Sequence, residues 1–145
     1  MLLTTDLPAL PALALSLVAL FAKTTLTSLL QVASRVRAGV FPIPEDARLM
    51  RRSPALAEAP FVQRCANVWR NDTENLPLFL ALAFAYTLLG GPAGAAQLLF
   101  GAYVALRFAH TGAFLLGLQP WRALAYLSGL AVCCVIAWRV IDMAI

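Results

Sequence analysis

The sequence predicts an all-α integral membrane protein, a four-helix bundle in lipid. Three observations predict it. Of 145 residues, 61% are apolar and 12% charged, whereas a soluble domain averages about 25% charged residues, so the chain lacks the polar surface to cover itself in water. Apolar stretches of about 20 residues, the length that crosses a bilayer, can be drawn four times along it. The segments between them are short and punctuated by Gly and Pro, apart from one arginine-rich loop.

The first span is drawn from Leu7 to Ser34. It differs from a secretory leader in having no basic n-region, in the early Asp6, and in an apolar stretch that outruns an h-region, so it reads as a retained span. The loop that follows, Arg35 to about Asn67, carries Arg35, Arg37, Arg48, Arg51, Arg52 and Arg64 against Glu45, Asp46 and Glu58. The second span, Arg70 to Gly90, opens on Arg70-Asn71-Asp72-Thr73-Glu74 and contains Pro77, which removes a backbone donor and should kink the helix there. Gly90-Gly91-Pro92-Ala93-Gly94 is a tight turn into the third span, Ala95 to Leu118. Gly117 to Arg122 is a second short connector, with Pro120 placed to open the fourth span, Ala123 to Ile145. Cationic loops stay cytoplasmic, which puts the long loop and Arg122 in the cytoplasm and both termini, with Asp6 and Asp142, on the far side. The chain reads as a single domain with no solenoid period and no low-complexity tract.

Several function classes are disfavoured by the same residues. A basic stripe for nucleic acid has no water-facing domain to occupy. Cys65 stands alone and Cys133 and Cys134 are adjacent in an apolar run, so no zinc spacing or disulfide framework is expected, and no metal site. All three read as small buried hydrophobes.

The informative groups are charges inside or at the edge of the spans, each costing about 2.5–3.5 kcal/mol near a helix centre. Arg70 and Glu74 are four apart and share a helix face, which permits an intrahelical ion pair. Arg107 lies about 16 Å before the end of the third span, with His110 and Phe114 following at the same face and pointing into the bundle. His110 reads as a core histidine or, beside an intramembrane arginine, as a ligand-binding one. Arg122 and Tyr126 share a face at the start of the fourth span, and Arg35 closes the first at the same level. Arg35, Arg70, Arg122 and, deeper, Arg107 thus outnumber Asp72 and Glu74 in one layer. That surplus suits an anionic ligand bearing carboxylates for guanidinium forks and an ammonium for Glu74. Anionic lipid head groups or snorkelling side chains satisfy the same arithmetic.

Pro44-Glu45-Asp46-Ala47, Arg64-Cys65, Arg70-Asn71-Asp72-Thr73-Glu74, Arg107-Phe108-Ala109-His110-Thr111, and Pro120-Trp121-Arg122 with Tyr126 resemble, in order and spacing, the MAPEG family of membrane-associated proteins in eicosanoid and glutathione metabolism. The pattern is most similar to the family's prostaglandin E synthase branch, less one residue between His110 and Pro120. The resemblance implies a homotrimer of four-helix subunits binding glutathione between subunits near the cytoplasmic face. It implies Arg35 and Arg70 at the glutathione carboxylates, Glu74 at its amino group, and Asn71, His110 and Tyr126 as further polar contacts. Arg122 would lower the thiol pKa as the catalytic group, and Asp46 matches an aspartate proposed for proton transfer, with simple pairing to an arginine as the alternative. Arg107 resembles a deeper family arginine with a structural role.

In that branch the thiolate attacks an endoperoxide oxygen, a proton leaves carbon, and the sulfur–oxygen bond breaks. Two departures bear on this reaction: Ala123 replaces a serine and Phe114 a tyrosine. Glutathione transfer and hydroperoxide reduction need only an activated thiol and an apolar groove, and they survive these losses better. The reading is therefore a membrane-bound glutathione transferase, isomerase or peroxidase acting on a lipophilic substrate that arrives from the membrane lipid. An Ala- and Arg-rich composition points to a bacterial inner membrane, with the endoplasmic reticulum as the alternative. The competing reading is a non-catalytic lipid-binding or regulatory protein of the same fold.

Overall fold

The computed structural model describes residues 7–145; Asp6 lies outside the described residues. Among these there are five helices: α1 (Leu10–Ala38), α2 (Pro44–Leu49), α3 (Pro60–Leu88), α4 (Ala93–Leu116) and α5 (Trp121–Ala144). No strand occurs among the described residues. α1 packs along α3 and α4, α5 along α4 and α3, and α3 against α4.

Local chemistry sets the helix ends. α1, α2 and α3 each carry proline in the first turn, where a missing N–H is harmless and the fixed φ is already helical. Glu45 and Asp46 sit in the first turn of α2, where carboxylates meet the positive end of the helix dipole. α3 closes on a Schellman motif, with Gly90 N–H donating to the Thr87 carbonyl (3.1 Å) and Gly91 N–H to that of Tyr86 (3.0 Å). A Cβ on Gly91 would stand 2.1 Å from the Tyr86 ring, so no larger residue fits this turn. α4 closes the same way at Gly117 (φ 71°), with Leu118 N–H donating to the Ala113 carbonyl at 2.8 Å.

α1, α4 and α5 are long and apolar enough to cross a membrane. α3 equals α1 in length, 29 residues or about 43 Å, but holds Asn71, Asp72, Glu74 and Asn75 within it and does not meet that measure. It starts at Pro60, ten residues ahead of Arg70, and α1 runs on to Ala38. The polar connector is therefore 39–59, with α2 folded into it and Ala47 and Phe41 buried beneath. Helix α3 continues through Pro77.

The apolar core occupies the half of the molecule nearer the Gly90 turn. Phe79 stacks on Tyr103 at 3.9 Å between centroids, and Phe100 meets Phe79 and Tyr86 edge-on. Leu13, Leu20, Ala83 and Ile136 complete it. The outer surface is also apolar, with Leu15, Phe21, Leu98 and Trp138 about 70% exposed, which is what a lipid-facing surface requires.

Candidate functional site

The half nearer the long connector is polar inside. Asp72, 2% exposed, stands at its centre: Oδ2 pairs with Lys23 Nζ of α1 and Oδ1 accepts from Arg107 Nη2 of α4 at 2.5 Å. Arg107 Nη2 also donates to Asn71 Oδ1 at 2.7 Å. One carboxylate on α3 thus joins helices on both sides of it. The sequence reading gave Arg107 a deep position and did not single out Lys23; the signal was there, because Lys23 is the sole lysine of the chain and falls in the middle of an apolar run.

Asn71, the outer member of that network, lines a groove of about 320 Å³ together with His110, Phe114, Gln119, Arg122, Ala123 and Tyr126. α3 supplies the first, α4 the next two, and the connector and first two turns of α5 the rest. Four residues expected at a ligand site, Asn71, His110, Arg122 and Tyr126, therefore meet in one place. The Arg122 guanidinium lies 4.6 Å over the Phe114 ring, a cation–π contact. With its amide oriented to satisfy both groups, Gln119 Oε1 accepts from Arg122 Nη2 at 2.6 Å and Nε at 3.1 Å. Gln119 went unnoticed in the sequence, although a side chain three residues before Arg122 at a helix start was a visible partner. His110 is 3% exposed, its ring 5.8 Å from Phe114 and 6.4 Å from Tyr126, and its Nδ1 is buried without a partner.

The remaining expected residues, Arg35, Asp46, Arg70 and Glu74, do not line this groove. Arg35 pairs with Glu58 of the connector through two nitrogens, three residues before α1 ends at Ala38. Arg35 and Asp46 line a separate groove of about 310 Å³ with Phe41 and Met50, distinct from the one that Arg122 lines. The intrahelical pair of Arg70 and Glu74 does not form: both side chains are exposed, and Arg70 donates to Asn67 Oδ1, one turn back, at 3.4 Å. Spacing of four permits such a pair at a few tenths of a kcal/mol, too little to hold two solvated side chains. Among the described residues no cluster of His, Cys, Asp or Glu could hold a metal ion. Cys65 is buried, Cys133 half-buried and Cys134 exposed.

Arg64 reaches across from α3 to donate to the Phe114 carbonyl at 3.4 Å, over Gly117, and so ties the α4–α5 corner to the head of α3.

The model of the MAPEG family matches residues 13–141. Among curated relatives, prostaglandin E synthase of Homo sapiens is 34% identical over 136 residues, covering 92% of this chain and 89% of the relative. That of Bos taurus is 32% identical over 133 residues, covering 91% and 87%. Microsomal glutathione S-transferase 1 of Bos taurus is 38% identical over 81 residues, covering 55% and 52%. With three helices able to cross a bilayer and a family match across nearly the whole helical region, the chain is an integral membrane protein and belongs to the MAPEG family.

Proposed function

We propose that the protein is a glutathione-dependent membrane enzyme that uses Arg122 to activate the glutathione thiol for reaction with a lipophilic electrophile or peroxide. The observation that carries this is Arg122 itself: an oriented guanidinium, fixed by Gln119 and Phe114, on a groove shared with Asn71, His110 and Tyr126. The names of the relatives, prostaglandin E synthase and microsomal glutathione S-transferase, support a thiol-dependent reaction of this kind.

The groove fits such a ligand by its donor set. A guanidinium, an imidazole, two amides and a phenol line it with no carboxylate among them, and His110 Nδ1 is left without a partner in the protein. When bound, glutathione supplies a thiol whose deprotonated form is the nucleophile. Arg122 beside the sulfur favours that charged form, and because its rotation is already restricted, little is lost in orienting it. Asn71 is held by Arg107 through its amide oxygen, which leaves its NH₂ free to donate to a carboxylate or carbonyl. Ala123 lines the groove without a hydroxyl, so the acceptors that suit it best are those needing only an activated thiol.

Four helices, α1, α3, α4 and α5, form the membrane bundle in this reading, with the 39–59 connector on the cytoplasmic side. The bundle assembles as a homotrimer. Arg70 and Glu74 are exposed on α3 beside Asn71, and Arg35 and Asp46 sit on a separate groove; a neighbouring copy would complete the site, with Arg35 and Arg70 on the carboxylates and Glu74 on the ammonium.

The test is turnover of detergent-purified protein with glutathione against a chlorodinitrobenzene, a lipid hydroperoxide and prostaglandin H. Conjugation or peroxide reduction is expected, and Arg122→Ala should lower kcat/KM about a hundredfold, the cost of a missing electrostatic donor. No turnover with any of the three would favour a lipid-binding protein without catalysis.

A further inference from the structure

A second groove lies on a different side of α4. Lys23, Leu26, Thr27 and Leu30 of α1 face Phe108, Thr111, Gly112 and Leu115 of α4 around about 270 Å³. Its walls are largely apolar, and three polar residues line it: Lys23, 2% exposed, Thr27, whose hydroxyl donates to the Lys23 carbonyl at 3.0 Å, and Thr111, whose buried Oγ1 has no partner. Lys23 stands about 20 Å from either end of α1, far from the level of phospholipid head groups.

The charges behind this groove do not balance. Lys23, Arg107 and Asp72 are 2–3% exposed, two cations to one anion. Both oxygens of Asp72 are committed, Oδ1 to Arg107 and Oδ2 to Lys23, and Arg107 Nε has no partner. A surplus positive charge in a medium of low dielectric costs several kcal/mol unless an anion compensates it or the lysine releases its proton. The Lys23 ammonium has three donors and one carboxylate partner. Lys23 lines an opening whose remaining surfaces, Leu26, Leu30, Phe108 and Leu115, suit a hydrocarbon chain.

We propose that the groove between α1 and α4 is a binding site for a membrane-dissolved long-chain carboxylic acid. The carboxylate sits against Lys23 and Thr111, and the chain runs along Leu26, Leu30, Phe108 and Leu115. One added negative charge brings the buried cluster to neutrality, and the Thr111 hydroxyl gains its acceptor. A phosphodiester is excluded by depth, since its glycerol backbone is anchored at the interface. The site is independent of the glutathione groove, which is lined by other residues.

The experiment uses the full chain in phosphatidylcholine nanodiscs with a photoactivatable palmitate analogue, labelled peptides being mapped by mass spectrometry. Labelling of α1 and α4 is expected, competed by palmitate and at least tenfold less well by hexadecanol, which has the same chain without the charge. Lys23→Met leaves Asp72 and Arg107 as a balanced pair, so the variant keeps its fold, and should lose at least tenfold in labelling. Gly112→Leu adds apolar bulk to the groove wall and changes no charge, and a Cβ there meets nothing within 4 Å; it should reduce labelling as well. Equal competition by the alcohol, or unchanged labelling of the folded Lys23→Met variant, would overturn the proposal.

Discussion

Replacing Asp72 by Asn removes one charge and almost no volume, and it strands two cations. Lys23 and Arg107 are each 2–3% exposed and both pair with this carboxylate. Removing one partner of a buried ion pair costs about 3–5 kcal/mol, and here a single substitution unpairs two cations, so the loss should fall near the upper end, about 5 kcal/mol. For a chain of this size each kcal/mol moves Tm by roughly 3 °C, which gives a fall of about 15 °C. Lys23→Met acts in the opposite sense. It leaves Arg107 and Asp72 as a one-to-one pair and replaces a buried ammonium by an apolar chain, an exchange that is often neutral or stabilising. In the Lys23→Met background, Asp72→Asn strands one cation in place of two and should cost about half as much, a coupling that the double-mutant cycle reads directly. Thermal melts of detergent-solubilised protein, followed by the fluorescence of its three tryptophans, measure all four proteins. If Asp72→Asn melts with the wild type, or Lys23→Met falls as far as Asp72→Asn, the charge accounting is wrong.

Three further outcomes are expected. Gly117→Ala places a Cβ in the left-handed region (φ 71°) and 2.6 Å from Arg64 Nη1, so it should cost about 1–2 kcal/mol, seen as a Tm lower by several degrees. Glu74→Gln should weaken glutathione binding about tenfold by calorimetry, as the loss of a charge-assisted hydrogen bond to an ammonium requires; unchanged affinity would remove Glu74 from the site. Ala123→Ser adds a hydroxyl to the groove wall and should raise prostaglandin H isomerisation several-fold, and no gain would mean that the serine of the related branch is not what that reaction needs.

The parts of this molecule that the sequence made legible are the locally determined ones. The Gly90 and Gly117 helix ends follow from residues that tolerate a left-handed backbone, and the shared face of Arg122 and Tyr126 follows from helical spacing alone. Arg107 and His110 could be placed inside because an exposed arginine at that depth is untenable. The interactions that escaped are non-local. Lys23 and Asp72 are 49 residues apart and Arg35 and Glu58 are 23 apart, and no periodicity reports which side chains meet across two helices. Arg70 and Glu74 show the converse: a spacing that allowed a pair did not compel one, since Asn67 offered Arg70 an acceptor on the same helix. Gln119 was local and still missed, because its role depends on the side-chain orientation of Arg122, which spacing does not specify.

The central claim is that Arg122 holds glutathione as its thiolate. The direct measurement is the ultraviolet difference spectrum of purified protein titrated with glutathione at neutral pH, with S-methylglutathione as the control that binds without an ionisable sulfur. The account predicts a thiolate band that saturates with glutathione, is absent with the methylated peptide, and disappears in Arg122→Ala while the peptide still binds. A saturating titration that shows no thiolate, or the same band with Arg122 removed, would contradict it.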